Sequence, residues 1–583
     1  MTLSIIPQST EFLSPQGSQT RIATSQWVIL GCVALVRFIH LGFPDLQAWD
    51  EALYALRAQS IVQFGVWLDQ TPFAPDGLYS SLHPPLHVWL TAAVFHLLGN
   101  GEAQARLVSA VAGSATVPII FAIGRRMSNS SVGTLAAVLF GLNPFAVFFS
   151  RQGQFDSLLV FFLTLSAYWS LRMLVDHKPR SASIAGLALG TALMTKLFVA
   201  AGLPLALVLD RLIRRQPFDR SFNLDMFRML LVAGLVAMPW HVFMTIRHGA
   251  GNITFFFDQS AFLERMVTGI EGNVKPLGAL YYINQLLVVF PIGIWWFVDR
   301  VCSGVRTNAA PAGVLFSWFI VFFVVFSLMQ TKLAVYVLPM MVPCSILAAD
   351  AMWSGAYGAF KRGRWGLLLS ATALSIVWSA SQGWRNALKE IIAGISSLDA
   401  VSADAWHSFL WLLGGSVIAV SVALILASLD RFRVHVVFLL GLTLSFHTLV
   451  NIFIREKTQF KDGASELAEF VRAYDVQSIV VAGMRRNPQL SYYLKGADLG
   501  WRDDLHVRRI IPPRDTLAYT QWLAGEMAGE QKTSLLIIEK DMLIRYRTVR
   551  PETFVPSGFR PVFESRRYAA YITDTDRYVA SAR

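Results

Sequence analysis

The chain is poor in charged residues and in cysteine, and both shortages narrow its class. Only 15% of its 583 residues are charged and 54% are hydrophobic, whereas soluble domains carry about 25% charged residues. Its three cysteines, Cys32, Cys302 and Cys344, show neither metal-ligand spacing nor a disulfide framework. A chain this long and this apolar is typical of a polytopic membrane protein.

Sequence signals of several other classes are also missing. The first apolar run lacks the basic n-region and the cleavage site of a signal peptide, so it is predicted to stay as an anchor. No Gly-rich phosphate loop, zinc spacing or Ser-His-Asp order stands out. The net charge is +12, but many basic residues lie in short loops between apolar runs. That placement indicates membrane topology and predicts no nucleic-acid partner.

Apolar runs are the main feature that is present. A transmembrane helix needs about 20 apolar residues, and about thirteen candidate spans follow one another, at 26–43, 105–124, 131–149, 156–174, 182–196, 198–210, 227–245, 279–298, 310–329, 334–353, 365–382, 407–428 and 433–453. The run at 85–98 is shorter, follows two prolines and contains polar residues. It is predicted to be an interfacial helix that lies on the membrane.

Basic clusters predict the orientation of these spans. If 85–98 does not cross, the clusters at 125–126, 178–180, 211–220, 300–306, 361–364 and 431–433 all lie on one side, which the positive-inside rule makes the cytoplasm. The N-terminal tail, 1–25, is then cytoplasmic, and a membrane domain occupies 26–454. Its first loop, 44–104, and the tail, 455–583, face outside, which is the periplasm of a bacterial inner membrane.

The tail has a different composition from the membrane domain. Helical patterns at 465–474 and 487–494 alternate with apolar strand patterns at 478–483 and 534–539, and a late strand is expected within 563–573. This order predicts a small α/β domain.

An adjacent acid pair, Asp50-Glu51, opens an amphipathic helix in the first loop. One interpretation is that the pair is an N-cap and a first-turn acid, both favoured at a helix start. The other is a general base at the membrane surface. Asp156, in Ser-Arg-Gln-Gly-Gln-Phe-Asp, is predicted on the same side. It is either a cap or ion-pair partner, or a second carboxylate that orients substrate or shares a divalent cation with Asp50.

Basic residues on the predicted outer side break the positive-inside pattern. An intramembrane charge is costly and marks a functional site by default, and a lipid phosphate would explain several of these residues together. The alternative is that their side chains extend to the headgroups. The predicted phosphate-binding residues are Arg37, Lys196, Arg265 and Lys332. His83, before Pro84-Pro85, either marks a turn or donates to a substrate oxygen.

Seven segments carry a resemblance to a known family: WDEALY, HPPLHVWLTAAVFHLLG, AQARLVSAVAG, SRQGQFDSLLVFF, LMTKLFVAAGLPLAL, MPWHVFMTIRHG and TKLAVYVLP. Together they resemble the bacterial protein O-mannosyltransferase-like glycosyltransferases of the GT-C fold, whose relatives include the lipid A aminoarabinose transferases. The aminoarabinose transferases have Glu-Lys-Pro-Pro where this chain has Leu82-His83-Pro84-Pro85. The His-Pro-Pro form is closer to the protein mannosyltransferases.

The resemblance implies an inverting transferase that moves a sugar from a polyprenyl-phosphate donor to a lipid, glycan or protein acceptor. It implies catalytic roles for Asp50, Glu51 and Asp156, and phosphate binding by Lys196 and Lys332. Other predicted substrate-binding residues, Arg151 and Tyr336, lie in the matching segments. No metal ligand set and no firm cofactor is predicted beyond that shared divalent cation. Two alternatives stay open: a transporter or flippase for the same lipid class, and an assembly protein that uses the tail as an adaptor.

Overall fold

The computed structural model is mainly helical. It describes, with short internal gaps, residues 22–249, 278–304, 310–354, 364–378, 463–510, 534–540 and 555–573. Within these ranges five helices are long and apolar enough to cross a membrane, or seven if two bent helix pairs each count as one span. The chain is therefore a multi-pass membrane protein. The count of thirteen stays a prediction, because 407–428 and 433–453 lie outside the described residues.

The helices of the membrane part follow the predicted apolar runs closely. In chain order they are α1 (Thr24–Leu35), α2 (Asp50–Phe64), α3 (Leu86–Leu98), α4 (Glu102–Met127), α5 (Ser130–Gly141), α6 (Pro144–Ser150), α7 (Asp156–Asp176), α8 (Pro179–Leu193), α9 (Leu197–Ala200), α10 (Gly202–Ile213), α11 (Arg220–His248), α12 (Ala279–Val289), α13 (Ile294–Gly304), α14 (Ala310–Leu328) and α15 (Leu338–Ser354). Short 3-10 helices cover Val36–Phe38, Thr71–Phe73 and Ala334–Val337. Buried apolar side chains from α1, α4, α5, α7, α8 and α10 to α15 form one continuous core.

Two spans that the sequence predicts as single helices are broken instead. The run at 131–149 is split into α5 and α6, which meet at 66°. Asn143 lies in the break and caps α6, because its side chain accepts from the N–H groups of Phe145 at 2.9 Å and Ala146 at 3.2 Å. The run at 279–298 is split into α12 and α13 at 118°, where Pro291 disfavours helical backbone at the preceding Phe290.

The structure of α3 fits the interfacial helix predicted at 85–98. Its 13 residues span about 20 Å at 1.5 Å per residue, which is less than the roughly 30 Å hydrocarbon core. His87, Val88 and Phe95 are buried on one side, while Leu97 and Leu98 are 78% and 60% exposed. The helix packs on α2 and α4, so the first loop rests on the membrane bundle.

Helix α8 is held unusually close to α11, and this matters because α8 leads to Lys196. A Cβ on Gly186 would come within 2.4 Å of the Met229 carbonyl oxygen, and one on Gly190 within 2.7 Å of the Ala233 carbonyl oxygen. Only glycine permits this approach of the two backbones. The end of α8 is thereby fixed before the chain turns into α9.

The described part of the tail is a small α/β unit, as predicted. Its helices are α16 (Ala464–Ala473) and α17 (Pro488–Tyr493), and its strands are β1 (Ser478–Ala482), β2 (His506–Ile510), β3 (Ser534–Glu539), β4 (Phe559–Glu564) and β5 (Tyr568–Thr573). The order is β2-β1-β3-β5-β4, with β1 parallel to β2 and β3 and with antiparallel pairs at β3–β5 and β5–β4. The late strand expected within 563–573 is therefore a hairpin of two strands, and β2 was not predicted.

The tail unit shares a hydrophobic core with the first loop. Apolar side chains of α2 and α3 pack with those of α16, α17 and the sheet in one buried cluster. Leu46, which is 0% exposed, belongs to the same cluster. The tail is consequently packed onto the loop that carries Asp50 and Glu51.

Candidate active site

The segment that leads into the acid pair is wrapped around one guanidinium group. Arg106 of α4 donates from Nη1 to the Leu41 carbonyl and from Nη2 to the Asp45 carbonyl, both at 3.0 Å. It also meets the Glu51 carboxylate at 2.8 Å (Nε–Oε1) and 3.1 Å (Nη2–Oε2). Both ionic side chains are buried. A buried pair of this geometry fixes the start of α2 against α4.

Glu51 also joins the first loop to the loop before α7. Its Oε2 accepts from the Gln47 N–H, and its Oε1 from the Gly153 N–H, each at 2.7 Å. Gly153 has no room for a side chain, because a Cβ there would lie 2.9 Å from the Ala105 carbonyl oxygen. Glu51 is thus fully buried and holds four hydrogen bonds. Glu51 therefore supports the site from a buried position and does not face solvent.

Asp50 has the opposite environment. It is the first residue of α2 and is exposed, although its neighbour Glu51 is buried. The helix start favours a negative charge there, and the bonds of Glu51 fix the backbone beside it. The two interpretations of Asp50 are compatible, because the helix terminus holds an accessible carboxylate in a defined place.

Four residues that the sequence predicts for the site lie close together at the start of α7, and Phe155 links two groups of them. They are Asp156, Lys196, Tyr336 and His83. Lys196 Nζ lies 3.4 Å from Asp156 Oδ1, and both side chains are 12% exposed. The same ammonium lies 4.9 Å from the ring centroid of Phe155 and 5.0 Å from that of Tyr336. The His83 ring is 4.6 Å from the Phe155 ring. The result is a cation held between two aromatic faces beside a single carboxylate oxygen.

Two arginines, Arg37 and Arg151, lie at the start of the 150–156 loop. Arg37 is 0% exposed and donates to the Val33 carbonyl at 3.0 Å, while its Nε and Nη2 atoms have no hydrogen-bond partner among the described residues. A Cβ on Gly113 would come within 2.9 Å of Arg37 Nε and 2.3 Å of Ser150 Oγ. Arg151 donates to the His40 carbonyl at 3.2 Å. Both guanidinium groups thus place positive charge beside the 150–156 loop.

Lys332 is engaged differently from Lys196. Its ammonium donates to three carbonyl groups at the C-terminal end of α14, those of Phe326 at 3.1 Å, Ser327 at 2.7 Å and Met329. It is 4% exposed. Those are carbonyls that a helix end leaves without partners, so Lys332 caps α14. Its predicted role in phosphate binding stays a prediction, and Arg265 lies outside the described residues.

His87 is a further buried side chain that supports the site, through its contact with Ser109. Ser109 Oγ donates its only hydrogen to the Gln154 carbonyl at 2.6 Å, so the 3.3 Å contact with His87 Nε2 places a proton on Nε2. Burial, and then the charge of Arg57, lowers the pKa of His87 to about 3. His87 is therefore neutral and, through Ser109, helps to hold the 150–156 loop on α4.

The sequence predicts no metal ligand set and no Ser-His-Asp order. Within the part of the chain that the structure describes, no group of three or more His, Cys, Asp and Glu side chains is placed to hold a metal ion. Sequence reasoning missed the support role of Arg106. Its charge at the start of a predicted span was the available signal, by the rule already applied to Arg37.

Comparison with known proteins defines the class first: the chain is a membrane protein of the GT-C fold. It aligns with ArnT from Cupriavidus metallidurans, solved bound to undecaprenyl phosphate, at a TM-score of 0.70 and 18% identity, covering 94% of this chain and 98% of that one. The apo form of the same protein aligns at 0.66.

Sequence comparisons then give the relatives. Residues 82–243 match the family model described as dolichyl-phosphate-mannose-protein mannosyltransferase. Similar proteins include undecaprenyl phosphate-alpha-4-amino-4-deoxy-L-arabinose arabinosyl transferases of Edwardsiella ictaluri, 24% identical over 55% of this chain, and Pseudomonas fluorescens, 26% identical over 58%. The match spans 58% of each of these two relatives. The resemblance to mannosyltransferase-like and aminoarabinose transferase-like proteins is confirmed.

Proposed function

We propose that the protein is an inverting glycosyltransferase that takes a sugar from undecaprenyl phosphate at the periplasmic face of a bacterial inner membrane. The observation that carries the proposal is the bond from Glu51, the buried neighbour of the exposed carboxylate Asp50, to the Gly153 N–H, in the loop that ends at Asp156, where Lys196 places a partly exposed cation. The names of the relatives support the donor class. The basic clusters in the loops predicted on the cytoplasmic side support this orientation.

In the proposed reaction an acceptor O–H or N–H group attacks the anomeric carbon of the sugar. Asp50 takes the proton as the new bond forms. The bond between the anomeric carbon and the phosphate oxygen breaks, and undecaprenyl phosphate leaves with one more negative charge. One in-line displacement inverts the anomeric centre and needs one base.

Lys196 is the proposed partner of that departing phosphate. Its ammonium has one carboxylate contact, at 3.4 Å, and can turn further donors toward an anion. The neighbouring charges of Arg37 and Arg151 favour an anion at the same loop. Stabilisation that grows as charge develops on the phosphate accelerates the transfer itself. Asp156 keeps Lys196 oriented, and His83 is proposed to donate to a substrate oxygen.

A detergent assay tests the proposal and separates it from lipid transport. Purified protein is mixed with undecaprenyl-phosphate-linked 4-amino-4-deoxy-L-arabinose or mannose and with an extract of bacterial envelope lipids, and released undecaprenyl phosphate is measured by mass spectrometry. A transferase releases the carrier without a second compartment. Parallel mass spectrometry of envelope lipids and glycans from a deletion strain identifies the sugar and the acceptor. A deletion strain with an unchanged profile, together with no release from either donor, would contradict the proposal.

A further inference from the structure

The residues that lead into Asp50 are held by side chains of the C-terminal unit. Tyr493 Oη accepts from the Leu46 N–H at 3.0 Å, and Gln489 Nε2 donates to the Leu46 carbonyl at 2.6 Å. Both backbone polar groups of a fully buried residue are therefore bonded to α17. Asp50 follows four residues after Leu46 in the sequence.

A third tail side chain holds the preceding residue. Ser465 Oγ donates to Asp45 Oδ1 at 2.7 Å, and the Ser465 N–H lies 3.4 Å from Asp45 Oδ2. Ser465 lies in the first turn of α16, where backbone N–H groups favour an acceptor of negative charge. Asp45 is only 5% exposed, so water does not replace this contact.

These side chains are themselves anchored on both sides. Tyr493 Oη donates to Glu102 Oε1 of α4 at 2.9 Å. Burial raises the pKa of Tyr493, and the nearby carboxylates of Asp45 and Glu102 raise it further, so the hydroxyl stays protonated and keeps this bond. Gln489 Oε1 accepts from Tyr568 Oη of β5 at 2.9 Å. The contact to Leu46 is thus tied both to α4 and to the tail sheet.

We infer that the C-terminal unit is a positioning element for catalysis: Tyr493, Gln489 and Ser465, here called the tail clamp, fix the segment that presents Asp50. Arg106 holds the Leu41 and Asp45 carbonyls from the membrane side, and the tail clamp holds Asp45 and Leu46 from the other. The inference rests on the proposed function, because it assigns the base to Asp50. The clamp residues act through the backbone and touch no substrate.

The tyrosine pair on α17 gives a matched test in the full-length protein. Tyr493→Phe removes the hydroxyl that holds Leu46. Tyr492→Phe removes the hydroxyl of the adjacent buried residue, whose carbonyl accepts a hydrogen bond at the end of α17 but whose hydroxyl makes none among the described residues. Hydrogen exchange of peptides covering 41–56 is measured together with kcat and the donor KM, using the undecaprenyl-phosphate-linked sugar on which the wild type is active.

For Tyr493→Phe we expect faster exchange in 41–56 and a fall in kcat of about tenfold or more, with the donor KM unchanged, because a small misplacement of a reacting group costs this much. Tyr492→Phe should match the wild type in all three measurements. A changed KM at constant kcat would instead make the tail a substrate-binding surface and would overturn the inference.

Ser465 provides a second pair if Tyr493→Phe fails to fold. Ser465→Ala should lower kcat and speed exchange near Asp45, while Ser465→Thr keeps a hydroxyl and should restore both. Exchange that stays at the wild-type rate in both Ser465→Ala and Tyr493→Phe would overturn the clamp, as would faster exchange at an unchanged kcat. If the wild type transfers no sugar, the exchange data still decide whether the clamp exists, and only the proposed function fails.

Discussion

Glu51 Oε1 accepts the Gly153 N–H at 2.7 Å while the same oxygen meets Arg106 Nε at 2.8 Å. One buried carboxylate therefore joins α4, the helix that begins at Asp50 and the loop that ends at Asp156. The sequence predicts a catalytic role for Glu51 beside Asp50. Its contacts show that Glu51 connects the first loop with the 150–156 loop.

Replacing Glu51 separates a support role from a chemical role. Glu51→Gln leaves the buried guanidinium of Arg106 without its hydrogen-bonded carboxylate, and breaking a buried ion pair costs about 3–5 kcal/mol. We expect a large fall in the thermal midpoint of the detergent-purified protein, with activity lost in proportion to unfolding. Asp504→Asn, in the exposed pair with Arg502, is the control and should leave the midpoint nearly unchanged. Glu51→Gln protein of normal midpoint but without activity would instead show a catalytic role.

Lys196 is expected to act on the donor phosphate. A charged hydrogen bond contributes about 1.5–3 kcal/mol, so Lys196→Ala should lower kcat/KM for the donor by about 10- to 100-fold. The KM for the acceptor should not change, because the proposed partner of the ammonium is the leaving phosphate and not the acceptor. Steady-state kinetics with each substrate varied in turn checks both statements, and Lys196→Arg should recover part of the loss.

Lys332→Ala is the contrasting substitution. Its ammonium is bonded to the carbonyls of Phe326, Ser327 and Met329, so its removal should lower the thermal midpoint and leave the donor KM of the folded fraction unchanged. A donor KM that rises as much as in Lys196→Ala would return Lys332 to the phosphate site that the sequence predicts.

The neutral state of His87 makes stability depend on pH. The pKa of His87 is about 3 in the folded protein against an ordinary value of 6.5, so below pH 6.5 the unfolded chain binds a proton that the folded chain does not. The free energy of unfolding should therefore fall as pH decreases from about 6.5 toward 3, by up to about 1.4 kcal/mol per pH unit. Thermal midpoints of the wild type and of His87→Gln, measured from pH 7 to pH 5, test this.

The substituted protein should show a shallower decline, since glutamine keeps an N–H donor and does not titrate. His96→Gln on the same helix is the control, because His96 is exposed and should leave the slope as in the wild type. An equal slope in His87→Gln and wild type would mean that other groups carry the acid sensitivity.

Much of the fold follows from patterns that are local in the sequence. The lengths of the apolar runs predict α4, α7, α11 and α14. The two prolines before the run at 85–98, and its short length, predict a short helix close to the observed bounds of α3. The breaks at Asn143 and Phe290 were missed, because a hydropathy window averages over a cap or a proline. Strand β2 was missed because His506–Ile510 alternates weakly and carries two arginines.

The candidate site could be predicted in its members more than in their arrangement. Among the predicted site residues, Asp156 and Tyr336 both lie beside Lys196, and His83 lies beside Phe155, whose ring Lys196 also contacts. The sequence could not reveal which charged side chains are already bonded to other groups of the protein. In the sequence, Glu51 and Lys196 are both charged residues among apolar segments. The structure shows that Glu51 is enclosed by Arg106 and backbone N–H groups, whereas Lys196 is partly exposed.

Asp50 is the proposed base, and a comparison of two first-loop carboxylates tests this role. Asp50→Asn and Asp69→Asn both remove a first-loop carboxylate, but Asp69 is bonded to His248 at the end of α11 and has no proposed role in the reaction. Release of undecaprenyl phosphate is measured on equal amounts of folded, detergent-purified protein at saturating donor. We predict that Asp50→Asn lowers turnover by about 10²- to 10⁴-fold while Asp69→Asn stays near the wild type. Near-normal turnover of folded Asp50→Asn protein would show that Asp50 is not the base.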